Sequence, residues 1–181
     1  MTLAFRNRQR TRALNLPLLR RITRQLLQEE FKIADGELCF HFVEPQEMAR
    51  VNWQFLQHKG STDVITFDYG AADEFKVQSS EPPPAAALHG ELFISVADAV
   101  KQAREFKTTW QSELTRYLIH GLLHLRGHDD LQPTKRQAMK REENRLLKET
   151  ATRFPLRALA AVGNPKSSIL NPQSPISRGR T

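Results

Sequence analysis

Three of the six histidines of this chain fall within nine residues, in the run LIHGLLHLRGHDD that carries His120, His124 and His128. Positions i and i+4 share one face of a helix, with Cβ atoms ~5–6 Å apart. Two imidazoles at that spacing can converge on one divalent ion through bonds of ~2.0–2.1 Å. Residues 117–125 are apolar almost all round, the pattern of a buried helix, so His120 and His124 would be held rigidly in a partly dry setting. Gly127 is placed to end that helix in the left-handed conformation that other residues adopt at a cost. The chain then turns back and offers His128, Asp129 and Asp130 as third ligands. Zinc, one ion per chain, leads the candidates because imidazole and carboxylate suit it, although nickel or another divalent metal accepts the same donors. A bare His pair would more simply be two hydrogen-bonded histidines; the glycine stop and the His-Asp-Asp cluster argue for the ion.

What is absent narrows the chemistry. A zinc-protease helix carries Glu directly after its first His as general base, and here that position is Gly121, so a peptidase would lack its proton acceptor. A single cysteine, Cys39, excludes an internal disulfide framework and a cysteine-rich zinc finger and fits a cytoplasmic protein. No apolar run approaches the ~18 residues of a membrane helix, and no membrane role is expected. There is no glycine-rich phosphate loop or dinucleotide fingerprint. The net charge of +7 is unevenly spread: residues 1–24 carry seven Arg and no acid, residues 151–181 carry five basic residues and no acid, and the middle holds 15 basic against 20 acidic residues. The excess therefore belongs to the two ends, read as flexible arms that either solubilise the chain or touch phosphates.

The elements that must position the histidines can be read from periodicity. A helical apolar stripe covers residues 14–31, and ELCFHFV at 37–43 alternates as a strand. Pro45 opens a helix to about residue 57, and DVITF at 63–67 and GELFISV at 90–96 read as strands. Helices follow at 97–106, 109–126 and 133–150. The class is α+β (mixed α/β): one domain over residues 1–150 with its core in 14–150, a small, mostly four-stranded sheet covered by about five helices, and a zincin-like metal helix. Residues 70–88, with three consecutive prolines, read as an irregular insertion, and 151–181 as a basic, mostly disordered tail.

HGLLHLRGHDD resembles the metal motif of the YbeY-type rRNA maturation factors, His-Gly-x-Leu-His-Leu-x-Gly-x-Asp-His. NWQFLQHKGSTDVITF at 52–67 is similar to the family's Asn-x-x-Tyr-Arg … Thr-Asp-Val-Leu-Ser-Phe segment, and GELFIS at 90–95 to its Gly-Asp-Ile strand. The likeness spans about residues 14–150 in the family's order and spacing. It implies a single-domain zinc-dependent endoribonuclease acting on single-stranded or precursor ribosomal RNA. The expected work is late small-subunit processing and ribosome quality control, with the ribosome or its small subunit as partner. Two positions depart from the pattern. The family's third ligand, a His ten residues after the first, is Asp130 here, which makes His120, His124 and Asp130 the expected metal set with His128 as competitor. The family's arginine four positions after the Asn is Leu56, which leaves the catalytic group unassigned; His58 or Lys59 could supply charge, and Asp63 could orient a ligand histidine. The rival function is a non-catalytic ribosome-assembly or RNA-binding factor with a structural metal, marked by a closed four-ligand site. A zinc hydrolase of another class is a more distant rival.

Overall fold

A computed structural model describes residues 1–70 and 87–161. Strand β1 (Thr2–Asn7) leads to helix α1 (Leu16–Gln25), whose N-terminus is capped by the Asn15 side chain accepting the Leu18 N–H at 3.1 Å. A π-helical turn, Leu26–Glu30, closes this helix before β2 (Gly36–Val43). Proline opens α2 (Pro45–Leu56), followed by β3 (Val64–Asp68) and β4 (Leu88–Ser95). Three helices complete the chain: α3 (Val96–Glu105), α4 (Trp110–Leu125) and α5 (Pro133–Arg153), with a 3₁₀ turn at Leu156–Leu159. The sheet order is β1-β2-β4-β3, with β1, β2 and β4 parallel and β3 antiparallel at the edge. The α1 crossover that parallel neighbours require joins β1 to β2.

Alternation along the strands sends Phe40 and Phe42 of β2 and Leu92 and Ile94 of β4 to one face, where they meet Leu19, Ile22, Leu118 and Leu122 in the main core. The opposite face carries a smaller cluster, Val43, Met48 and Ile65, beneath α2. Helix α4 lies so close to the sheet that a Cβ on Gly121 would stand 2.4 Å from Leu92 Cδ2. The residue that removes a protease's glutamate is therefore also the one that lets the histidine helix settle on its strands. No helix among the described residues is long and apolar enough to cross a membrane.

The α+β architecture agrees with the periodicity, while both ends need correction. The arginine-rich start is no free arm: Thr2–Asn7 pairs with β2, Leu3 enters the core and the Phe5 ring stacks on Phe40 at 4.7 Å. The core thus begins well before residue 14. At the other end α5 runs past 150 to Arg153, Leu159 is fully buried, and Ala160 bridges to Leu14. Most of the expected tail, residues 162–181, and most of the insertion, 71–86, lie outside the described residues; Leu88 itself opens β4.

His41 sits on the α2 side of the sheet, stacked on Phe93 at 4.4 Å and 3% exposed. Its Nε2 is 3.2 Å from Glu91 Oε2, at an angle too poor for a hydrogen bond. Burial holds its pKa below the ordinary 6.5, with the Glu91 carboxylate only partly opposing. The unfolded chain therefore binds the proton more readily, and stability is lost as pH falls through that ordinary value. In urea titrations, His41→Phe is expected to lose less stability than the wild-type chain between neutral and mildly acid pH. Gly121→Val is expected to destabilise by ~2–3 kcal/mol through overpacking against Leu92.

Candidate metal centre

Helix α4 starts with Thr109 accepting the Ser112 N–H and is buried on most of its circumference. Glu113, Arg116, His120 and His124 form one stripe at intervals of three or four, which a helix places on one side. The helix stops as expected at Gly127, whose φ is +81°. The Gly127 N–H donates to His124 O and the His128 N–H to Leu123 O, at 2.8 and 3.0 Å, the paired bonds of a glycine C-terminal stop.

That turn fixes the imidazoles. The His128 backbone carbonyl arrives 3.1 Å from His124 Nδ1, and Glu143 Oε2 on α5 lies 3.0 Å from His120 Nδ1. Both acceptors demand an N–H at Nδ1, so both Nε2 atoms keep a lone pair. Those two Nε2 atoms face each other at 3.0 Å. Two lone pairs at that distance repel unless a proton or a cation lies between them. A carboxylate oxygen of Asp130 joins the two nitrogens, all three ligand atoms lying within 4.8 Å of one another. The donor set and spacing fit one divalent ion bound through bonds of ~2.0–2.2 Å.

Of the three residues offered after the glycine stop, the fold brings in Asp130. His128 contributes its backbone carbonyl, and Asp129 turns away to accept from the Leu131 N–H and the Lys135 ammonium. Asp63 lines the same cleft of about 390 Å³ as His120 and Asp130, but its Oδ1 accepts from Thr62 and from the Val64 N–H and it bonds to neither imidazole. The orienting role expected of Asp63 belongs instead to Glu143 and the His128 carbonyl. His58 and Lys59 are exposed on the loop after α2 and do not line this cleft. Leu56, where the family has arginine, ends α2 with half its surface exposed.

Glu143 is the residue that motif reading missed. It is buried on the α5 face that also carries Met139, Leu146 and Leu147, and a carboxylate among them is the signal that could have found it. Arg116 holds it with an Nη1 bond to Oε1 at 2.5 Å, while also meeting Asn144 and Glu113. Burial pushes the Glu143 carboxyl up, but the bonds from His120 and Arg116 outweigh it and keep its pKa below the ordinary value. Burial likewise disfavours charge on His120, yet the carboxylates of Glu143, Asp63 and Asp130 raise its pKa; burial and the neighbouring ring lower that of His124.

The fold and the site together define a small α+β protein in which a buried helix and the turn after it bring two histidines and one carboxylate together as a candidate metal site. The sequence model of the family described as Endoribonuclease YbeY matches residues 4–151. Among curated proteins, Endoribonuclease YbeY of Chlorobium phaeovibrioides is 32% identical over 151 residues, covering 82% of this chain and 90% of that one. The enzymes of the same name from Bacteroides thetaiotaomicron and Bacteroides fragilis are 38% and 37% identical over 112 residues, 62% of this chain and 72% and 71% of theirs. A solution structure of a Thermotoga maritima protein shares the fold at a TM-score of 0.55 and 20% identity, covering 87% of this chain and 94% of that one. The chain belongs to the Endoribonuclease YbeY family, and with it to the nuclease class of hydrolases.

Glu143→Gln keeps the shape of the His120 partner and removes its charge. It is expected to weaken divalent-metal affinity ~10–100-fold, read by competition with a chromophoric chelator.

Proposed function

We propose that the chain is a zinc-dependent endoribonuclease that cuts single-stranded segments of precursor ribosomal RNA, late in small-subunit maturation and in ribosome quality control. Its partners would be the ribosome or its small subunit, and its compartment the cytoplasm. The observation that carries this reading is the pair of Nε2 atoms 3.0 Å apart, each with its Nδ1 committed elsewhere, beside the Asp130 carboxylate in an open cleft.

His120, His124 and Asp130 would hold the ion. When bound, a divalent cation supplies Lewis-acid polarisation of a phosphoryl oxygen and makes a water more acidic. The chain's own residues do the rest. Glu143 fixes the His120 tautomer and Arg116 fixes Glu143, so the first ring cannot rotate out of the cleft. The Gly127 turn does the same for His124 through the His128 carbonyl. Asp63 has its Oδ1 occupied and its Oδ2 without a hydrogen bond among the described residues, and this reading takes Oδ2 as the proton acceptor of the cleft. His58, outside the cleft, is the weaker candidate. A structural metal in a non-catalytic assembly factor would call for a fourth protein ligand, and the cluster among the described residues has three.

The test combines metal content of undialysed protein with cleavage of precursor ribosomal RNA. One equivalent of zinc per chain is expected, and His124→Ala should lose the ion and at least ~100-fold in cleavage while keeping its circular-dichroism spectrum. Undiminished cleavage by His124→Ala would refute the assignment; loss of fold together with the metal would favour the structural role.

A further inference from the structure

The cleft that holds His120 and Asp130 carries three features that the metal site does not use. Phe106, at the end of α3, lines it yet is 60% exposed. The turn beneath that ring is firmly tied: Lys107 takes a φ of 55°, the Phe106 N–H donates to Gln102 O and the Thr108 N–H to Ala103 O. An aromatic ring held outward on a fixed turn loses little freedom when something stacks on it. Tyr117, on α4, lines the same cleft at 2% exposure, and its hydroxyl has no hydrogen-bond partner among the described residues. A buried hydroxyl left in that state calls for an acceptor or donor. Lys140 projects from the opposite wall, on α5, and makes no ion pair or hydrogen bond among the described residues. The other cations of the cleft are engaged: Arg116 by Glu113, Glu143 and Asn144, and Arg136 through Nε by the Asp130 carbonyl.

A flat ring, an unmatched hydroxyl and an uncommitted ammonium around one cavity match the three parts of a nucleotide. We propose that this cleft is a subsite for one unpaired nucleotide of the RNA strand: Phe106 stacks on the base, Lys140 holds the adjoining phosphate, and the Tyr117 hydroxyl donates to an oxygen of the sugar or phosphate. This rests on the endoribonuclease reading and gives a reason for single-strand preference, since a base within a duplex has no free face for Phe106. It also assigns phosphate binding to α5 in a chain whose α2 offers Leu56 in place of arginine.

Equilibrium binding of a fluorescein-labelled, phosphorothioate-linked, 2′-O-methylated single-stranded oligoribonucleotide to the full, zinc-loaded chain tests this, beside cleavage of unmodified RNA by the same preparations. Phe106→Leu is expected to bind about ten-fold more weakly, and Phe106→Trp to bind like wild type with indole quenching. Tyr117→Phe should lose RNA affinity while its urea midpoint stays level or rises, because the hydroxyl has no partner among the described residues. Lys140→Ala should lower the slope of log affinity against log salt by ~0.7, whereas Lys148→Ala, on the same helix but outside the cleft, should leave it unchanged. A duplex of the same sequence should be indifferent to residue 106. Wild-type affinity and salt slope in Phe106→Leu, Tyr117→Phe and Lys140→Ala, from a preparation that cleaves RNA, would overturn the subsite and leave the nuclease reading standing. The expected losses of binding from a preparation that cleaves nothing would support the subsite and count against the nuclease.

Discussion

Two imidazole nitrogens facing each other across 3.0 Å need a positive charge between them, and much of this fold serves to keep them there. The rings ride on a helix that the sheet, α3 and α5 enclose. Burial removes the water that would otherwise satisfy polar side chains, so the charged and imidazole groups of α4 must find protein partners. Glu113, Arg116, Glu143 and His120 meet that demand as one connected set, and His124 meets it through the turn at Gly127. Gly121 makes the enclosure possible by allowing helix and strands to approach closely.

The same constraint explains which parts of the site were legible in the sequence. His120, His124 and Gly127 are local: one helical turn and one glycine stop determine their relation, and the structure reproduces it. Asp130 could be singled out only with help from the family pattern, because three adjacent candidates follow the glycine and backbone geometry chooses among them. Asp129 is drawn off by the turn into α5, and His128 is used through its carbonyl. Glu143 was out of reach by spacing because it lies 23 residues from His120 and comes into contact only when α5 packs on α4. Its trace was a charged residue on an otherwise apolar helical face. Asp63 was found, but with its bonds turned to its own strand entry and not to an imidazole.

The fold shows a similar division. Amphipathic helices and alternating strands gave the core elements to within a residue or two through most of the chain. The first strand is masked in the sequence by four arginines at 6, 8, 10 and 12, which give the segment around Leu3 and Phe5 the composition of a basic arm. In the structure those two side chains face the core, while Arg8 pairs with Glu47 on α2, so a basic composition and a sheet strand coexist. The last buried contact, Leu159 beside the Leu14–Ala160 bridge, joins the two ends of the described chain and has no local periodicity to announce it.

The most direct measurement is an anomalous-difference map collected either side of the zinc absorption edge, from crystals of protein purified without chelators. A single peak within bonding distance of His120 Nε2, His124 Nε2 and an Asp130 carboxylate oxygen is the expected result. An empty map at those atoms, with the two rings sharing only a proton, or an ion seated elsewhere in the chain, would contradict the account.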